Sequence, residues 1–293
     1  MSGILQHTKR EIRLNGQKVQ REYNAEIATT IRSDDKTTTT KLAMYFSLIF
    51  LGSQNGKLNY LLEVDKRFFL DDINFIVKKT TKAQQLASKV ATLNDRLIFE
   101  VSPNFKLLSI VNTEEILKKW KKIKQEIQAE FVDLDDLIND FDWQLQNNIQ
   151  QPFVNDNFYN FFFANIFYKE FENDKPILEN KSITNAIGNL DMPIVEQKEI
   201  IKKNIVFSAI TIQTEAKLAI GNKKFPLEKL NVFLGDLAEK NTELDLNFSY
   251  NGSYKVIPPK GLITNGELTY SFEIGDVYKK TTNINFNLIE DEQ

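Results

Sequence analysis

Apolar and β-branched residues in the N-terminal third recur at every second position. Val19, Tyr23, Ala25, Ile27, Thr29 and Ile31 share one face of an extended segment, the pattern of a half-buried strand. Asn15-Gly16 lies between REIRL and KVQREYNAEIATTI and reads as a hairpin turn, because this dipeptide accepts the positive φ of tight turns. The polar stretch SDDKTTTTK is expected as a further turn, and the apolar run KLAMYFSLIFLG as a central strand. Ser53-Gln54-Asn55-Gly56 then turns the chain into KLNYLLEV, with INFIVKK as another strand.

From residue 80 the period changes. Ala83, Leu86, Ala87, Val90 and Leu93 are three and four apart, the spacing of an amphipathic helix. LIFEVSPNFKLLSIVN reads as two strands around Pro103-Asn104. Asn112 and Glu115 resemble a capping box, in which a side chain three residues into the helix answers the cap. The helix they open carries Ile116, Trp120, Ile123, Ile127 and Phe131 on one stripe, with lysines 118, 119, 121, 122 and 124 on the other faces. A second helix is expected over 133–147, with Leu134, Leu137, Ile138, Phe141 and Leu145 inward. After Pro152, the segment 158–171 holds Phe158, Tyr159, Phe161, Phe162, Phe163, Phe167, Tyr168 and Phe171. Read as a helix, it is apolar on nearly all sides and needs cover on nearly all sides.

Residues 173–204 are rich in Asn and Lys and hold Pro176, Gly188 and Pro193, so they read as a linker. IVFSAITIQTEAKLAI follows as a long strand, Pro226 to Lys240 as a short helix with Leu227, Leu230, Phe233, Leu234 and Leu237 inward, and three alternating strands close the chain. Proline suits a first helical position. No repeat of fixed length is visible, although the chain twice runs from strands through helix to strands. The pattern predicts an α+β fold: antiparallel, curved sheets at both ends and a helical insert over 113–172. The implied units are 1–172, the linker 173–204, and 205–293, with intertwining into one unit as the alternative.

Composition narrows the chemistry. The chain has no cysteine and one histidine, His7, which removes most routes to thiol, imidazole or zinc chemistry. Net charge is −3, from 37 basic and 40 acidic residues, whereas nucleic-acid binders usually carry a basic excess. Nucleic acid is therefore not an expected partner. Ile4 and Leu5 are the only apolar step before charges begin, so no export signal is expected. No segment approaches a membrane span. The expected location is the cytoplasm, with the periplasm as the alternative if an export signal has been removed.

The candidate motifs are mostly answered by ordinary packing. The lysines of 118–124 read as a solvated helix face, since Glu126 and Glu130 return nearby. In DLDDLINDFDW, Asp133 and Asp135 match an EF-hand, but Leu137 and Ile138 occupy the fifth and sixth places, where an oxygen ligand and glycine belong. Neither GxGxxG nor GxxxxGK[ST] occurs, which removes the usual phosphate loops. Ser88 and Lys89 are adjacent on a helix and do not face each other. No catalytic, cofactor or metal residue is assigned. The unusual positive feature is aromatic: Trp120, Phe158, Tyr159, Phe162 and Tyr168 are the candidate apolar binding surface, with core packing as the competing reading.

LIFEVSPNFKLLSIVNTEEILKKWKKIKQEI (97–127) and the closing strands YKVIPPKGLITNGELTYSFEIG resemble bacterial lipoprotein-like proteins of the LolA-like half-barrel kind. The resemblance implies a strongly curved antiparallel sheet wrapped over helices, with an apolar ligand or hydrophobic partner in its concave face. It transfers no individual binding residue. The expected function is thus a non-enzymatic protein-binding or adaptor protein, using the aromatic insert or an edge strand near Thr37 to Thr40. The alternatives are a carrier of an apolar ligand in a half-barrel cavity and a carboxylate-dependent hydrolase.

Overall fold

A computed structural model describes residues 10–14, 20–33, 35–131, 134–171, 175–204, 209–237 and 246–289. Among the described residues, thirteen strands and six α-helices follow one another. They are β1 (Arg10–Glu11), β2 (Gln20–Ser33), β3 (Lys36–Gln54), β4 (Lys57–Leu70), α1 (Lys82–Ala91), β5 (Arg96–Val101), β6 (Leu107–Ile110), α2 (Thr113–Glu130), α3 (Asp135–Asn148), α4 (Gln151–Val154), α5 (Asn157–Phe162), β7 (Glu170–Phe171), β8 (Ile177–Ile187), β9 (Leu190–Asn204), β10 (Ala209–Leu218), α6 (Leu227–Leu237), β11 (Leu246–Ile257), β12 (Leu262–Ile274) and β13 (Tyr278–Leu288). Eleven strands form one open sheet in the order β6-β5-β4-β3-β2-β13-β12-β11-β10-β9-β8, and β1 pairs with β7 apart from it. The fold is α+β, with antiparallel sheet at both ends of the chain and a helical insert, as the hydrophobic pattern predicts.

Two compact units divide the chain. One takes residues 1–16, 26–40 and 166–288; the other takes 17–25, 41–165 and 289–293. The long strands β2 and β3 contribute to both. This differs from the division read from composition, and the expected linker is the main reason. Residues 177–204 are β8 and β9, paired from Ile177 against Lys198 to Ile187 against Leu190. Their sequence looks like a connection because Glu179, Glu196 and Lys198 point to the buried face, which breaks the apolar alternation of a strand.

In the unit that holds 41–165, β3 pairs with β4, β4 with β5 and β5 with β6. Asn55 and Gly56 take φ of 51° and 74°, the positive values that a tight hairpin turn demands. Register shifts at Tyr45/Phe46 and Phe50/Gly52 mark bulges, which bend the strand that carries them. The run Thr37 to Thr40 is strand rather than turn; β3 lies between β2 and β4 in the sheet, and its pairing with β4 begins at Lys41, just beyond this run. INFIVKK is not a strand: one bridge, Leu70 to Ile76, is all the pairing it makes among the described residues.

The helices follow their stripes with corrections. On α2, Ile116, Trp120, Ile123 and Ile127 are buried. Asn112 makes no capping hydrogen bond with its side chain. Its Oδ1 instead accepts from the backbone N–H of Ile98 at 2.8 Å, and its amide donates to the Arg96 carbonyl and the Glu115 carboxylate, which ties the helix start to β5. The capping box lies on α1, where Thr81 and Gln84 satisfy each other's backbone N–H. On α3, Ile138 and Leu145 are buried but Leu137 is exposed.

The aromatic segment is helical only to Phe162. Asn165 and Tyr168 then adopt φ of 53° and 51°, a left-handed conformation that ends a right-handed helix. Apart from Tyr168, its rings are nonetheless covered. Phe161, Phe162, Phe163, Ala164, Ile166 and Phe167 are all buried, because an irregular path turns each ring inward where one helix could not.

The other unit is built on β8 to β13. Buried residues alternate with exposed ones along β11 and β12, and register shifts at Thr211/Ile212, Lys255/Val256 and Ile183/Ile187 bend these strands. The one helix of this unit among the described residues is α6, whose Phe233 ring meets Tyr278 edge-on at 5.5 Å. Gly266 lies opposite Phe286 on β13, and a Cβ added there would stand 2.2 Å from the fully buried Phe286 ring. Overpacking of a closed core costs about 1–3 kcal/mol. Gly266→Ala is therefore expected to lower the urea-unfolding free energy by about that much, while leaving secondary structure by circular dichroism unchanged.

Candidate functional site

The five candidate aromatic residues do not share a surface. Phe158, Tyr159 and Phe162 belong to one buried cluster with Tyr23, Phe46 and Phe99, at ring distances of 5.0 to 5.9 Å. Trp120 is buried elsewhere in the same unit, edge-on to Phe141 at 4.9 Å. Its indole N–H donates to Asp142 Oδ1 at 2.7 Å, and Lys124 binds the other oxygen at 2.8 Å. Tyr168 alone is exposed, at 43%, and its hydroxyl donates to the Leu14 carbonyl. These rings build cores, since edge-to-face packing adds to the burial energy of each. Of the five, only Tyr168 can meet a partner directly.

The concentration of chemistry lies where the sequence reading placed a linker. On the buried face of β8 and β9, Lys198 Nζ stands 3.1 Å from Glu179 Oε2 and 2.9 Å from Glu196 Oε2, and Lys181 Nζ stands 2.7 Å from the same Glu196 oxygen. The Tyr250 hydroxyl reaches across from β11 and donates to Glu196 Oε1 at 2.6 Å. The register explains the assembly. Glu179 faces Glu196 directly across the β8/β9 pair, a repulsive placement that the two ammonium groups neutralise. Beside Lys198 on β10 lies Thr214, fully buried, whose hydroxyl has no hydrogen-bond partner among the described residues. Around this island the face is apolar: Ile183, Met192, Ile194, Ile212 and Tyr254 are buried.

The electrostatics follow from burial against pairing. Burial works to raise the Glu196 pKa, but the charges of Lys181 and Lys198, with hydrogen bonds from Lys181 and Tyr250, overcome it and hold the carboxyl well below its usual range. For Lys198, burial works downward and the two carboxylates overcome it, so its pKa rises. Lys181 moves the other way, because burial outweighs its attraction to Glu196. Burial and the Glu196 charge push the Tyr250 phenol well up. Glu196 and Lys198 are thus held as a charged pair, and the Tyr250 phenol is kept as a donor to Glu196.

Carboxylates elsewhere supply less. Asp156 caps α5, accepting from the Tyr159 N–H at 3.0 Å. Burial pushes its carboxyl up to about 6, against the pull of the Tyr159 and Phe158 N–H groups. Among the described residues no group of three His, Cys, Asp or Glu could hold a metal ion, and no helix is long and apolar enough to cross a membrane. His7, Asn15-Gly16 and Asp133 lie outside the described residues.

No known family model matches the chain, and neither does any curated protein. Solved structures do show likeness. Lipovitellin, from a study of its lipid–protein interactions, gives a TM-score of 0.45 at 7% identity over 94% of this chain. The chain spans 26% of that lipovitellin chain. DynF from the dynemicin biosynthesis pathway of Micromonospora chersina gives 0.21 at 6% identity, covering 98% of this chain and 89% of its own. An outer membrane lipoprotein-sorting protein domain from Vibrio parahaemolyticus gives 0.17 at 9% identity, covering 93% and 87%. It is of the kind that the 97–127 stretch resembles. These scores are low, and the site is read from its own residues.

Two outcomes are expected for stability. Removing one partner of a buried ion pair costs about 3–5 kcal/mol, because the other charge is left uncompensated. Lys198→Met should lose roughly that much in urea unfolding at neutral pH, and Lys198→Met with Glu196→Leu should lose less than the single change. The pH dependence has two opposing parts. Glu196, depressed in the fold, contributes stability present above the ordinary carboxylate range and lost as pH falls below it. Asp156, raised to about 6, opposes folding as pH rises from the ordinary carboxylate value through 6. Asp156→Asn keeps a good cap and should flatten the decline in unfolding midpoint between those two values.

Proposed function

We propose that this chain is a non-catalytic carrier of an amphipathic ligand, with an apolar body and an anionic head. The observation that supports the reading is the charged island itself. It sets two lysines near a fully buried Thr214 hydroxyl, which has no partner among the described residues, on a face that is otherwise apolar and aromatic. Ligand sites combine an apolar lining with a few convergent polar groups, and ionisable groups with shifted pKa values mark candidate sites. Lys181 is the member nearest solvent, with 14% of its side chain exposed, and it lies on β8, which ends the sheet. In this arrangement Lys181 and Thr214 bind the head, Tyr250 and Lys198 hold Glu196 in place, and the ligand's body lies along Ile183, Ile194 and Ile212.

The protein-adaptor reading keeps only Tyr168 of its five residues at the surface, which is why the carrier reading is preferred. A carboxylate hydrolase would need two acids flanking a substrate; Glu179 and Glu196 are each held by lysine instead. The location proposed with this reading is the cytoplasm, with the periplasm as the alternative.

Native mass spectrometry of the purified full chain tests the proposal. A fatty acid or phospholipid should remain bound, or a long-chain fatty acid should be taken up on addition. A charge-assisted hydrogen bond is worth about 1.5–3 kcal/mol, so Lys181→Met should weaken fatty-acid retention by about tenfold or more, with a smaller effect on a neutral apolar probe. A bare protein mass that stays bare with added fatty acid overturns the reading.

A further inference from the structure

The loop between β4 and α1 presents Ile73, Phe75 and Ile76 to solvent, at 73%, 67% and 56% exposure. Three large apolar side chains within four residues are not a stray surface leucine; they form one patch. The loop is also firmly built. Asp71 Oδ1 accepts the backbone N–H groups of Ile73 and Phe75, at 3.1 and 2.8 Å. The Asp71 N–H donates to the Phe75 carbonyl, and Val77 to the Phe69 carbonyl. Asn74 turns the tip with φ of 66°. Lys41, from the neighbouring strand β3, clamps the tip by donating to the Asp72 carbonyl at 2.9 Å and to Asn74 Oδ1 at 3.0 Å. Since the loop's own hydrogen bonds are made, the side chains are held outward, and no ordering is left to be done on docking.

Charge decides what the patch fits. Lys78, Lys79 and Lys82 follow directly and are exposed, and Lys41 adds a fourth cation at the rim. Among the described residues none of the four sits in an ion pair. Against these four cations stand two exposed acids, Asp71, whose Oδ1 accepts two backbone N–H groups, and Asp72. An apolar tip held by Lys41 and followed in the chain by three exposed lysines has the polarity of a lipid interface, where acyl chains lie below anionic head groups. We infer that residues 71–82 dock this protein on an anionic membrane surface, with Ile73, Phe75 and Ile76 entering the head-group region and the lysines resting on the phosphates. The inference stands apart from the carrier reading: a chain that docks without carrying a ligand satisfies this one and fails that one.

Flotation of the full chain with vesicles of phosphatidylcholine alone, and of phosphatidylcholine mixed with phosphatidylserine, provides the test. The chain should float with the phosphatidylserine vesicles, and salt should weaken the association. Each lysine near an anionic surface is worth about fivefold in partitioning, so Lys78→Gln with Lys79→Gln should reduce it by about twenty-five-fold. Phe75→Ser should reduce it by about tenfold or more. Phe75 is exposed, so the fold should persist, and unchanged circular dichroism confirms it. Phe75→Trp should show a blue-shifted emission on vesicle addition. No flotation by the unaltered chain, flotation indifferent to both loop variants, or a loop that captures a protein while vesicles are ignored would each overturn the inference.

Discussion

The four-charge island on β8 and β9 sets the terms for the unit around it. Two glutamates are placed opposite each other by strand register, and the sheet can close over them only if both lysines and the Tyr250 hydroxyl arrive together. Such a network contributes little net stability compared with a hydrophobic replacement, because the desolvation of each ion offsets the attraction. Its effect is on arrangement. A one-residue slip of β9 against β8 would turn Glu196 and Lys198 outward and expose the apolar set, so the pairing charges fix which register the strands adopt. The apolar residues beside them then have one way to pack.

The aromatic segment after α5 shows the opposite strategy. There, burial is reached without polar anchors, by rings meeting edge-on around Phe162. The chain leaves helical geometry at Phe163 and still buries Phe163, Ile166 and Phe167. A helix presents each side chain at a fixed angle; the left-handed turns at Asn165 and Tyr168 free the backbone to aim consecutive rings inward. The backbone groups given up by the helix are met in part by the Asn165 N–H on the Phe105 carbonyl.

What the sequence made legible follows from these two cases. Elements whose buried face carries no charge are readable from periodicity: β4, β5, α2 and the closing strands β11 to β13. The inward stripe of α2 shows where Trp120 is buried, although nothing in it separates core from binding surface, and the 97–127 stretch shows the order strand, turn, strand and helix. Where a buried face carries charge, the same method fails. Ile177 to Asn204 looked like a connection because its inward residues include Glu and Lys, and no period-two count of apolar residues can reveal them. The hidden signal was the pairing of opposite charges at alternate positions, Glu179 and Lys181 on one strand and Glu196 and Lys198 on the next. INFIVKK failed for the converse reason: its apolar residues have the composition of a strand, but Asp71 and Asn74 supply the turn chemistry that makes it a loop.

The position of β8 at the end of an open sheet carries one more consequence. An uncapped strand border invites a copy of the molecule to add its own border and grow a fibre. Glu179 and Lys181 point inward from that border, so an incoming strand would have to find a partner for each or strand a bare ion. The opposite border, β6, is four residues long, too short to template much. Ionic groups that complicate folding thereby also keep crowded copies of this protein apart.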